Sequence, residues 1–145
     1  MDETDVKIMD LLTADARLSS RQIARQLGIS VGTVLGRIKR MERAGVIKRY
    51  SAVLNHEKLG YELTAVTEIL VSKGKLLEME REIANWPNVC CVYDVTGEPD
   101  AFVIAKFHNR EELSAFTKRL LSLPLVERTN THLVLTTVKE DLNML

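Results

Sequence analysis

Cysteine is nearly absent: Cys90 and Cys91 are the only two in 145 residues. Adjacent residues in a strand point to opposite faces, so the pair builds neither a disulfide framework nor a zinc site and reads as two small side chains. Long apolar runs are missing as well. No stretch approaches the ~18 residues needed to cross a bilayer, and the opening Met1-Asp2-Glu3-Thr4-Asp5 is acidic where an export signal would be basic. No membrane partner is expected, and residence in the cytoplasm is. His56, His108 and His132 stand far apart, outside any metal-ligand spacing, so no metal is expected. A Walker lysine loop, a Gly-x-Ser-x-Gly elbow and a Gly-x-Gly-x-x-Gly turn are all lacking, which leaves nucleotide-dependent and hydrolytic chemistry without a carrier. Asp94, Glu98 and Asp100 form a group of carboxylates, but a solvated hairpin end accounts for them. The chain reads as a non-enzyme with no cofactor.

Net charge is lacking too, at zero, yet the zero hides two halves of opposite sign. Residues 1–60 carry eleven basic against seven acidic side chains, and between Arg17 and Lys58 ten basic residues face only Glu42 and Glu57. Residues 61–145 hold nine basic against thirteen acidic. A basic stripe attracts polyanions, although a solvated helical face would show the same charges.

Local signals in the basic half are specific. Val6, Ile8, Met9, Leu11 and Leu12 follow an acidic first turn with helical spacing. Ser19 with Gln22 three residues on predicts a capping box, Gly28 a left-handed helix end, and Ser30 a second N-cap only two residues later. Two helices joined by so tight a corner, spanning Ser20 to Ala44, predict a helix-turn-helix. In the second helix Val31, Val34, Leu35, Ile38 and Met41 are expected to face the core. Gly32, Thr33, Gly36, Arg37, Lys39, Arg40 and Arg43 are then left outside. Two glycines on an exposed helical face each cost about 1 kcal/mol relative to alanine. Close approach to a DNA groove explains them, and tolerated poor propensity is the plainer alternative. Thr33 and Arg37 are expected near base edges, and Arg40, Arg43, Lys48 and Arg49 at phosphates. Ser20, Arg21 and Ser30 complete the candidate DNA-binding set.

After Gly60 the period changes. Leu63 to Val71 reads as a strand, Leu76 to Ala84 as an amphipathic helix ended by Trp86-Pro87, and Val89 to Thr96 with Ala101 to Phe107 as a hairpin around Gly97-Glu98-Pro99-Asp100. Asn109 with Glu112 predicts another capped helix, and Leu125 to Val138 a long last strand. The order βαββαβ is ferredoxin-like, with both helices on one sheet face. The other face needs a cover, which predicts a homodimer packed sheet to sheet. The fold class is therefore α+β: a three-helix helix-turn-helix domain over 1–48, a connecting strand and hinge over 49–62, and a ferredoxin-like domain over 63–145.

The run Asp5-x-x-Ile8-x-x-Leu11-Leu12-x-x-Asp15-x-Arg17, with Ile23-Ala24, Gly28-Ile29-Ser30, Val34, Arg37-Ile38 and Gly45-Val46-Ile47, resembles the Lrp/AsnC, or feast/famine, transcription regulators. Ala52-Val53-Leu54-Asn55 and Leu59-Gly60 are similar to that family's connecting strand and hinge. The resemblance extends to the RAM-type ligand-sensing domain through Gly97-x-x-Asp100, Thr129-x-Thr131 and Val138-Lys139. It implies operator DNA as partner, a homodimer able to assemble into tetramers or octamers, and a small amino-acid-like effector. The effector-binding candidates are Gly97, Glu98, Asp100, Thr129, Thr131 and Leu133, with Asp100 suited to an α-ammonium group. Sirohaem decarboxylases resemble the same two-domain architecture and form one alternative; a metabolite sensor without DNA is another. Neither needs Arg37, Lys39, Arg40 and Arg43 on one helix, and their presence favours DNA.

Overall fold

The structure, a computed structural model, describes residues 1–72 and 76–142. They form two compact units, one of residues 1–53 with 139–142 and one of residues 54–138.

In the first unit α1 (Glu3–Ala14), α2 (Ser20–Leu27) and α3 (Val31–Arg43) close around Ile8, Met9, Ile23, Ala24, Val34 and Met41. Full burial of an aliphatic side chain of this size is worth about 1.5–3 kcal/mol, so this small core rests on a handful of residues. Each helix start has the chemistry its sequence calls for. Asp2 and Asp5 cap α1 reciprocally, as Ser19 and Gln22 cap α2. Ser30 caps α3 by accepting from the Thr33 N–H at 3.0 Å. Gly28, at φ 67°, turns the chain between α2 and α3 in the left-handed region that glycine adopts without a Cβ penalty. The inner face of α3 is narrower than its period suggested. Val34 and Met41 are buried, but Val31 is 36% and Leu35 43% exposed. Three short helices cannot surround a whole apolar stripe, so its edge remains in solvent.

The second unit begins with residues 54–62, where Glu57–Leu59 makes a single 3-10 turn closed by Gly60. Ala52-Val53-Leu54-Asn55, expected as the strand of the 49–62 connection, carry no ladder. A strand needs a neighbour, and none of the described strands pairs with this segment. Beyond it β1 (Leu63–Val71), α4 (Leu76–Ala84), β2 (Val89–Asp94), β3 (Ala101–Phe107), α5 (Arg110–Ser122) and β4 (Val126–Leu133) follow the expected order. The sheet is antiparallel in the order β2-β3-β1-β4.

Alternation along the strands sorts the two faces. Ala65 and Ile69 of β1 and Ala101, Val103, Ala105 and Phe107 of β3 are buried with Met79, Ile83, Phe116 and Leu120 of the helices. Val66 and Leu70 of β1 and Phe102 and Ile104 of β3 lie on the other face and are only half-buried. The last strand is shorter than expected. Leu133 pairs with Ala65 and the Val134 N–H reaches Thr64, next to the start of β1, and residues 135–138 pair with none of the described strands. Likewise β2 stops at Asp94, opposite Ala101, where the turn begins.

Candidate functional site

Two surfaces carry the candidate residues, one in each unit. On the first, the exposed side of α3 presents Gly32, Thr33, Gly36, Lys39, Arg40 and Arg43. A Cβ at Gly36 would meet nothing within 4 Å, and one at Gly32 only the Ser30 hydroxyl at 3.8 Å. Internal packing therefore demands neither glycine. Arg21, at the start of α2, and Lys48 and Arg49, just past the third helix, are exposed, while Ser20 is half-buried. The Tyr50 hydroxyl donates to Glu42 at 2.9 Å and ties that exit segment to α3. Ser30 is committed to its cap, with its hydroxyl 2.8 Å from that of Thr33.

Arg37 departs from its expected place at a base edge. Its Nη1 donates to both carboxylate oxygens of Asp2 at 2.7 Å and to Asp5 Oδ1 at 2.8 Å, leaving the side chain 24% exposed. Arg40 Nη2 donates to Asp5 Oδ2 at 2.7 Å. Asp5 is completely buried, so its charge survives only because two guanidinium groups and the Asp2 N–H satisfy it. The hydrogen bond from Arg37 holds the Asp5 carboxyl below the usual aspartate range. Sequence spacing sees Asp5 as a helix-start acid. Its partners lie 32 and 35 residues away, beyond any local pattern.

On the second unit a hollow of about 470 Å³ is lined by Glu68, Leu70, Glu98, Pro99, Arg128, Thr129 and Asn130. Of the six effector candidates it gathers Glu98 and Thr129. Gly97, Asp100, Thr131 and Leu133 are not in its lining. Asp100 serves the sheet instead, its Oδ2 accepting from the Val71 N–H at 2.8 Å, where the β1–β4 register shifts. Thr131 meets Thr67, hydroxyl to hydroxyl at 3.2 Å, and Leu133 is 49% exposed near the end of β4. Glu68, Arg128 and Asn130 escaped the sequence reading because strand alternation predicts a face but not which charges meet across a ladder. Here Glu68 pairs with Asn130 and accepts from its Nδ2 at 3.2 Å. His132 Nε2 lies 3.4 Å from the other Glu68 oxygen.

No group of three or more metal-capable side chains occurs among the described residues. No helix among them is long and apolar enough to cross a membrane.

Known proteins match both units. Residues 1–48 match the winged helix-turn-helix DNA-binding family, and residues 64–144 the Lrp/AsnC ligand binding domain. An uncharacterised HTH-type transcriptional regulator of Pyrococcus abyssi is 50% identical over 144 residues, covering 99% of this chain and 98% of its own. The HTH-type transcriptional regulator FL11 of Pyrococcus horikoshii is 36% identical over 140 residues, covering 97% and 93%. Among solved structures, a transcriptional regulator from Neisseria meningitidis in complex with L-methionine superposes with a TM-score of 0.89 at 28% identity, covering 99% of this chain and 96% of that one. The leucine response regulatory protein of Mycobacterium tuberculosis does so with a TM-score of 0.87 at 26% identity, covering 97% and 96%. These relatives are regulators, in keeping with the DNA-binding reading and not with the tetrapyrrole-enzyme alternative. With a helix-turn-helix DNA-binding domain followed by the ligand-binding domain, the chain belongs to the Lrp/AsnC family of transcriptional regulators.

Proposed function

We propose that this regulator binds a two-fold symmetric operator as a homodimer, laying α3 in the major groove, and that a small amino-acid-like molecule modulates it. The observation that carries the DNA reading is the glycine pair on α3. Gly32 and Gly36 lower helix propensity on an exposed face and answer no packing need inside the chain, whereas a groove approached closely by the helix backbone requires positions without side chains. Lys39, Arg40 and Arg43 flank that face, and Arg21, Lys48 and Arg49 extend the positive surface; these contact phosphates and fix position. Ser20 and Ser30 lie at helix starts, where N–H groups favour a phosphate oxygen.

The dimer forms through the half-exposed sheet face of Val66, Leu70, Phe102 and Ile104, and further assembly to tetramers or octamers builds on it. Cytoplasmic residence goes with this function. The effector site is the hollow of Glu68, Glu98 and Arg128: two carboxylates and one guanidinium complement a zwitterion. The L-methionine complex of the Neisseria relative supports an amino acid as the class. Glu98 and Pro99 reach this hollow from the β2–β3 turn that Gly97 and Asp100 bracket, and Thr129 lines it from β4; Thr131 and Leu133 stand farther along β4.

A band shift of the chain's own upstream region against random duplex at moderate salt tests the DNA reading, and equal retention of both would sink sequence specificity. A thermal-shift screen of the twenty amino acids tests the effector. A rise in melting temperature with one of them, lost in Glu68→Ala and Arg128→Ala, is the expected result.

A further inference from the structure

We infer that Leu35 is a specificity-determining residue that reads thymine C5-methyl groups. The inference rests on the placement of α3 in the major groove and goes on to name what that helix recognises there. Helices of this type contact base edges with their N-terminal residues. In α3 those residues are Val31, Gly32, Thr33, Val34, Leu35 and Gly36, and none is charged. The first basic side chain, Arg37, is turned to Asp2 and Asp5. Val34 is fully buried, and the Thr33 hydroxyl is engaged with Ser30. The large apolar side chains that the first two turns hold out beside the exposed Thr33 are Leu35, 43% exposed, and Val31 one turn before it at 36%.

Leu35 is set apart by its neighbours. Helical geometry makes Gly32, three residues before it, a neighbour with no side chain to screen it, while Lys39, four residues on, extends the same exposed strip. In the major groove the only apolar group that projects from a base edge is the thymine methyl, where cytosine C5 carries a bare hydrogen and the other features are donors or acceptors. An exposed leucine beside Gly32 gains most there from a thymine methyl, the largest apolar group it can meet. Paired with guanine, the same side chain would desolvate O6 and N7 without replacing their hydrogen bonds. The operator therefore carries A·T pairs beneath the first two turns of α3, and discrimination there does not come from an arginine–guanine pair.

The test starts from a randomised duplex pool, selected in parallel with the wild-type protein and with Leu35→Ala. The best wild-type duplex is then remade with deoxyuridine for thymidine, position by position, which removes only the methyl. Wild-type protein is expected to lose about fourfold in affinity for each methyl that Leu35 touches, the worth of one buried methyl-sized group. Leu35→Ala is expected to bind the thymidine and deoxyuridine duplexes equally and to select pools with weaker A·T preference at those positions. Equal wild-type affinity for both duplexes overturns the inference, and that measurement needs no variant. Undiminished sensitivity in a folded Leu35→Ala overturns the assignment to Leu35. Failure of the wild-type protein to enrich any sequence is a different result: it overturns the sequence-specific reading itself.

Discussion

Asp5 is a carboxylate with no solvent on it, and Arg37, which bonds both Asp5 and Asp2, is separated in role from the more exposed basic residues of α3. Arg37 works inside the domain, so Arg37→Ala is expected to lower the melting temperature while pools selected from random duplex keep the wild-type base preference. A relaxed preference at one position would return Arg37 to the base edge. Because the Asp5 carboxyl is held below its ordinary value by Arg37, folding favours its ionised form. Its contribution is complete above the unfolded aspartate value of about 4 and fades as pH falls through the lower folded value. An acid titration followed by circular dichroism should thus show Asp5→Asn less stable than wild type near neutrality, with the difference shrinking in acid. Glu80 has the opposite sign. It is buried with Oε1 lacking a partner among the described residues, and burial, aided by Asp94, pushes its carboxyl up. Stability then falls as pH rises from the ordinary glutamate value through the raised one. Glu80→Gln is expected to be more stable than wild type at neutral pH, with the gain vanishing below pH ~4.

At the scale of elements, α3 is where stability and function are expected to pull apart. Gly36→Ala fits in open space on an exposed helical face, so it should stabilise the protein by about 1 kcal/mol. The same methyl should weaken operator binding, because it stands where the groove approaches. Thermal melting and band shift on one preparation check both signs, and a variant that binds as well as wild type would make the glycine a matter of tolerated propensity. Ser30→Ala removes the α3 cap and should cost about 1 kcal/mol. Lys48→Ala lies beyond the helix; it should weaken all duplexes alike and reduce the salt slope by about one.

Over the whole molecule, the proposed dimer rests on the sheet face that α4 and α5 leave uncovered. Ile104→Glu puts a charge at its centre and should shift the protein toward the monomer in sedimentation, with loss of operator binding; an unchanged dimer would move the interface elsewhere. Much of the architecture was legible in sequence because its signals are local. Ser19 with Gln22, Gly28, Ser30 and Asn109 with Glu112 each act within a turn of chain, and the period change near Gly60 separates helices from strands. Leu63–Val71 and Ala101–Phe107 emerge with the bounds their patterns predict. The sites were less legible. Helical period alone sent Leu35 inward and Arg37 outward, since it counts spacing and cannot weigh a carboxylate more than thirty residues away. Turn chemistry marked Asp100, but the N–H it holds belongs to Val71 on another strand. Which elements form, their order and the basic character of the first domain thus follow from the chain's own pattern, because capping, period and charge are short-range properties. Which side chains are free to meet a partner is settled by packing alone, because ion pairs such as Asp5 with Arg37 and ladders such as Glu68 with Asn130 exist only once distant segments are brought together.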